Sequence, residues 1–227
     1  LTLEDLQDEE ILNNHIYSNM KENYYWSDDL SCEFYVEAAK KGFITTSMYH
    51  NNQFVLLPEI QFDYAVLDFN DIKVSKKVKK LIQENNYILD ISQNFEKVLE
   101  QINAYHPNSW LTEEYCNILN NIKINSSLYQ NFNLISIELY EKNDKKLISG
   151  EIGYQIGSIY TSLSGFTTKN KKYNNWGKLQ LVLLNDYLKT NGFKMWNLGH
   201  PQLQYKVDLG AKIYNRKEFL ELWNKNK

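Results

Sequence analysis

Lys76, Lys77, Lys79 and Lys80 crowd around Val78. Ammonium groups at that density make a local anion site whatever the net charge of the chain, and they suit phosphate oxygens. The same run also fits a solvated helix face, with Ile72, Val78, Leu81 and Ile82 turned inward, and both readings stand. Trp110, just ahead of Thr112, either anchors a helix start or offers an aromatic platform to a ligand. Gly150, Gly153 and Gly157 interrupt an apolar stretch, which predicts bulges or close backbone approach. They are no phosphate loop, because no helix starts directly after them and no Gly-Lys-Ser/Thr follows. Cys32 and Cys116 have no second Cys or His at ligand spacing, so buried free thiols are expected rather than a disulfide framework or a metal site.

The elements that must position these residues follow from periodicity. The stretch from Ser27 to Gly42 has Asp and Ser at its start, Phe34, Ala38 and Ala39 along one face, Lys40 and Lys41 in the last turn, and a glycine stop; it predicts a helix. Residues 44–49 and 53–57 predict a hairpin turned at His50-Asn51-Asn52 and ended by Pro58. Residues 71–85 predict the basic helix. Phe95, Val98, Leu99 and Ile102 keep i, i+3, i+4, i+7 spacing, a second helix broken at His106-Pro107-Asn108, and a third leads from Thr112 through Leu119. From Phe132 to Trp223 the order is strand, turn, strand, strand, long helix, strand and closing helix. The stripe Trp176, Leu179, Leu183, Leu184, Tyr187 and Leu188 marks the long helix, which Asn191-Gly192 ends. The expected class is α+β: a small N-terminal α/β domain over 1–62, and over 63–227 a largely antiparallel mixed sheet flanked by helices.

A chain of 227 residues with 43% apolar composition can bury a sizeable core. No segment approaches the roughly 18 apolar residues of a membrane span, and Leu1 to Glu10 has neither the basic end nor the apolar run of a signal peptide, so no membrane association and a cytoplasmic location are expected. A net charge of −3 argues against a surface that binds nucleic acid everywhere.

The chain resembles the leucyl/phenylalanyl-tRNA-protein transferases, from about Asp28 to Trp223. The likeness rests on Asp29-Leu30-Ser31 with Ala38 to Gly42, on Val74-Ser75-Lys76 through Lys80, on Trp110-Leu111-Thr112, and on Leu209-Gly210-Ala211 with Arg216 to Leu220. The resemblance implies a GNAT-like (acetyltransferase-like) domain. It also implies aminoacyl transfer from a charged tRNA to the amine of a protein or peptide N-terminus, without metal or cofactor. Aminolysis of an ester needs a proton acceptor for the amine and donors for the developing oxyanion. By resemblance, Lys76, Lys77, Lys79 and Lys80 contact tRNA, and Trp110, Leu163, Ser164, Phe166 and Trp176 bind substrate.

The family pattern is altered where the chemistry belongs. Its Gly-Glu-Ser-Met-Phe becomes Ser162-Leu163-Ser164-Gly165-Phe166, and its Asp-Cys-Gln becomes Asn197-Leu198-Gly199-His200. His200 is the expected replacement acid/base, since imidazole titrates near neutrality, with Asn197 beside it. Loss of two carboxylates implies altered acceptor specificity, without efficient selection of N-terminal Arg or Lys. A non-catalytic tRNA- or peptide-binding homologue and a CoA-dependent N-acyltransferase are the alternatives; oligomeric state stays open. If Leu163, Asn197 and His200 do not share one cleft, the site assignment loses its basis.

Overall fold

The computed structural model describes all 227 residues. The chain opens with α1 (Leu3–Gln7) and α2 (Glu9–Ile11), which runs into a π-helical turn, Leu12–Tyr17. Helix α3 (Cys32–Lys40) begins where the Ser31 hydroxyl accepts from Phe34 N, and Gly42 at φ +89° lets the chain leave it. The two-stranded sheet β1 (Ile44–His50) and β2 (Gln53–Glu59) follows, its turn made by Asn51 and Asn52 at positive φ. Pro58 does not end this pair: it sits opposite Thr45 within β2. The outer edge of β2 is bridged only by residues 23–27, and there Pro58, which has no N–H, accepts from Tyr25 N through its carbonyl, so a proline is tolerated.

The seven-stranded sheet comprises β3 (Asp63–Leu67), β4 (Tyr87–Ile91), β5 (Asn133–Glu141), β6 (Leu147–Ile156), β7 (Ile159–Thr167), β8 (Met195–Asn197) and β9 (Lys212–Asn215), in the spatial order β4-β5-β6-β7-β8-β3-β9. Every pair is antiparallel except β7 with β8. The long helix, α7 (Trp176–Thr190), bridges that parallel pair, as a crossover must. This is the expected mixed, largely antiparallel α+β architecture. Strands β4 and β9, at the two edges, are additions to the expected set.

Period-2 alternation on β5 divides the core. Ile135, Ile137 and Leu139 join clusters that contain Leu179, Leu184 and Leu188 of α7, while Leu134 joins the cluster that holds α5 (Phe95–Tyr105). Burying each leucine of α7 stabilises the fold by about 1.5–3 kcal/mol; Leu183 and Tyr187 of the expected stripe are only half-buried. Helix α4 starts later than the lysine pattern suggests, at Lys76 rather than Asp71, because Ser75 caps it by accepting from Val78 N; it ends at Glu84. Helix α6 (Glu113–Ile124) starts behind Thr112, which caps Tyr115 N. A short helix, α8 (Gln204–Leu209), and α9 (Arg216–Asn226) complete the chain.

Gly153 performs the close approach expected of it. A Cβ there would lie 2.3 Å from Thr161 O, at the register shift between Ile152 and Gly153 that turns β6 against β7. Cys32 and Cys116 are free and half-buried. The boundary expected after residue 62 falls between β2 and β3, and the largest core cluster takes side chains from both sides of it, Leu6 and Phe34 beside Phe219 and Trp223. No helix is long and apolar enough to cross a membrane.

Candidate functional site

A cleft of about 520 Å³ opens where β6 and β7 meet the start of α7, with α8 on one side and the end of α5 on the other. Its polar wall is built on Glu151 of β6, only 6% exposed. Gly165 lies directly opposite on β7, where a side chain would press on the Glu151 Cβ at 3.0 Å. The carboxylate accepts from Tyr160 Oη at 2.9 Å, Ser162 Oγ at 2.8 Å and Gln180 Nε2 at 3.2 Å. Ser162 Oγ in turn accepts from Trp196 Nε1 at 2.9 Å. The Gln180 side-chain oxygen is buried without a partner. Burial pushes the Glu151 carboxyl up, although the bonds from Ser162, Tyr160 and Gln180 pull the other way. A cleft carboxylate whose affinity for a proton is raised is suited to taking one from an amine.

The facing side is made by α8. Lys206 is 6% exposed, and its Nζ donates to Leu198 O at 2.5 Å and His200 O at 2.7 Å. Burial pulls its ammonium down to about 8. Tyr205, on the same rim, is pushed up to about 12 by burial and then by the Glu151 charge. His106 lines the cleft where α5 ends, its Nε2 donating to Gly165 O at 3.0 Å. Leu163, Phe166, Leu181, Leu198 and Leu203 supply the apolar lining. A neighbouring groove of about 280 Å³ shares Lys178, Leu181 and Tyr205 with the cleft and reaches Lys73, Ser75 and Val78 at the start of α4.

The expected site residues are only partly gathered here. Leu163, Ser164 and Phe166 line the cleft; Asn197 and His200 are not among its lining residues. Asn197 is fully buried, its Oδ1 accepting from Gly199 N at 2.9 Å and its Nδ2 donating to Thr161 Oγ1 at 3.4 Å, bonds that hold the turn after β8. Gly199 at φ +70° carries the chain onward, so that His200 Nε2 stands 3.2 Å from Glu59 Oε1. Leu163, Asn197 and His200 therefore do not share one cleft. Trp110 packs edge-on against Tyr115 at 4.9 Å, against the largest core cluster. Trp176 is 5% exposed and packs edge-on against Tyr173 at the start of α7. Lys76, Lys77, Lys79 and Lys80 are exposed on α4; Lys80 has a long contact, 3.8 Å, with Glu84.

Glu151, Gln180, Lys206 and His106 are what sequence patterning passed over. A lone Glu between Gly150 and Gly153 in an apolar strand was the one available signal; Gln180 and Lys206 gave none.

A mixed sheet whose parallel pair is bridged by one long helix, with a polar cleft at that helix's start, is the GNAT-like arrangement expected from the sequence. The solved structures it is similar to include FemX (9% identity, TM-score 0.48, covering 67% of this chain and 59% of that one). A tandem GNAT protein from the clavulanic acid biosynthesis pathway is another (8% identity, TM-score 0.42, covering 80% and 58%). Likenesses this weak carry no argument. The family model for leucyl/phenylalanyl-tRNA protein transferase matches residues 66–224, and the chain belongs to that family. It is 28% identical over 163 residues to the leucyl/phenylalanyl-tRNA–protein transferase of Shewanella halifaxensis, and 25% identical over 195 residues to that of Hydrogenovibrio crunogenus. These alignments cover 70% and 84% of this chain, and 63% and 70% of the relatives.

Proposed function

We propose that the cleft between β6, β7, α7 and α8 transfers an aminoacyl group from a charged tRNA to an amine. The observation that carries this reading is Glu151: a buried carboxylate of raised proton affinity, open to the cleft, within the residues that match the family. It supplies from β6 the acid that Leu163 lacks on β7. The amine attacks the ester carbonyl and passes its proton to Glu151, directly or through Ser162 Oγ, whose hydroxyl is already bonded to it. The apolar lining accommodates the aminoacyl side chain, and the groove to α4 leads toward the exposed lysines, a path for phosphates.

Acceptor choice in this reading differs from a preference for N-terminal Arg or Lys. The Glu151 carboxylate is committed to three donors, and Lys178 and Lys206 place positive charge on the same cleft. The test is a transfer assay with a panel of charged tRNAs against acceptor peptides of varied first residue. Transfer that falls in Glu151→Gln and persists in His200→Ala supports the site. Saturable binding of charged tRNA without transfer to any acceptor would instead identify a non-catalytic homologue.

A further inference from the structure

Lys206 is a buried cation with an unfinished coordination. An ammonium carries three N–H groups, and the main-chain oxygens of Leu198 and His200 take two. The third has no protein acceptor, and no carboxylate lies within ion-pair distance of Nζ. Two carbonyl dipoles compensate this buried charge only in part, and no opposite charge in the protein completes it. The residue lines the same cleft as Glu151. Its two carbonyl bonds fix Nζ in place, so a donor aimed at a ligand would need no reorganisation.

We propose that Lys206 is the donor to the acyl oxygen, the atom on which negative charge gathers when the ester is attacked. The assignment rests on the aminoacyl-transfer reading. As the amine nitrogen forms its bond to the carbonyl carbon, the C=O π pair moves onto oxygen, beside the third N–H of Lys206. The amine proton passes to Glu151. The pair then re-forms the carbonyl, the carbon–oxygen bond to the ribose breaks, and the departing oxygen takes the proton back. Ester and amine become amide and alcohol, and Lys206 ends as it began.

Anion recognition by Lys206 can be read without turnover. The wild-type chain, with lysine Nζ labelled by ¹⁵N, is titrated with 4-methylpentanoate and separately with neutral 4-methylpentanamide. The Lys206 Nζ resonance is expected to move with the carboxylate, which should bind at least about tenfold more tightly than the amide. Lys206→Met should erase that preference. Lys206→Gln, which keeps N–H donors without the charge, should erase it too, separating charge from the latch to Leu198 and His200. An Nζ resonance unmoved at high carboxylate, or equal binding of both probes by wild type, overturns the proposal. In the transfer assay, both variants should lose about 10²–10³-fold in kcat with KM little changed; a purely structural latch would raise KM and lower Tm instead. Transfer that proceeds undiminished in both variants refutes the role of Lys206 and leaves the proposed function standing. Anion binding at Lys206 with no transfer by any charged tRNA refutes that function and not the anion site.

Discussion

Arg216 and Lys206 are both buried cations without a carboxylate partner at ion-pair distance, yet they are finished differently. The Arg216 guanidinium, 1% exposed, donates to six main-chain carbonyls, those of Ile16, Tyr17, Asn19, Glu22, Ile60 and Gln61, and lies over the Phe62 ring at 4.8 Å. Every N–H on it has an acceptor. Lys206 has two acceptors and a third N–H left over, on the wall of a cleft. The acids differ in place rather than in saturation. Glu138 accepts from Ser136 Oγ and from the backbone of Gln93 and Asn94, which ties β5 to the start of α5. Glu151, likewise bonded to three donors, sits in the cleft beside an unpaired Gln180 oxygen. A saturated buried charge fixes the chain, whereas an unsaturated one facing an opening is available for chemistry.

The sharpest way to break this distinction is Arg216→Met. Stranding so many carbonyls should cost about 3–5 kcal/mol, read as a lower midpoint in urea, and Arg216→Lys should restore only part of it because an ammonium has too few donors. Glu151→Gln should reduce transfer by about 10²–10⁴-fold while raising Tm at neutral pH. The sign follows from linkage. The folded-state affinity of Glu151 for a proton is raised, so the native chain holds that proton over a window where the unfolded chain has released it. Wild-type stability is therefore lost as pH climbs from the ordinary carboxylate range through the raised value. The Tm advantage of the Gln variant should vanish in acid and grow toward neutrality.

Lys206 works in the opposite direction: its proton leaves the native state near 8 and the unfolded state near the ordinary lysine value of about 10.5, so wild-type stability should rise across that window. A Tm series from pH 7 to 10 on wild type and Lys206→Met should show the rise in wild type alone. The smallest change in stability belongs to a combined Lys76, Lys77 and Lys79 substitution by Gln: within about 0.5 kcal/mol, since none is buried. Binding of tRNA should weaken, and its salt dependence should become shallower by up to about 0.9 for each phosphate no longer neutralised.

The local elements were legible in the sequence because they obey short-range rules. Ser31 and Thr112 cap the helices the pattern placed behind them, and the α7 stripe buries most of its expected residues. The pairing of β3 between β8 and β9 was not legible, because periodicity names a strand and not its neighbour. The cleft was half-legible. Leu163, Ser164 and Phe166 follow from the family motif on β7, but Glu151 looks like an outward polar position in a strand whose two faces are both buried. His200 was placed by matching Asn197-Leu198-Gly199-His200 to the family's Asp-Cys-Gln, and Gly199 at positive φ carries it toward Glu59 instead of into the cleft.

The position of β3 bears on how the chain is made. Residues 63–67 are synthesised long before both of their strand partners, 195–197 and 212–215, and the arginine that gathers residues 16–22 follows at 216. On the ribosome β3 and the carbonyls of residues 16–22 must wait, unpaired and ungathered, until residues 195–216 have emerged. Such delayed, non-local closure slows folding and exposes nascent chains to aggregation. A nascent chain stalled before residue 195 would carry β3 to β7, but it would lack β8, the strand that joins β3 to β7.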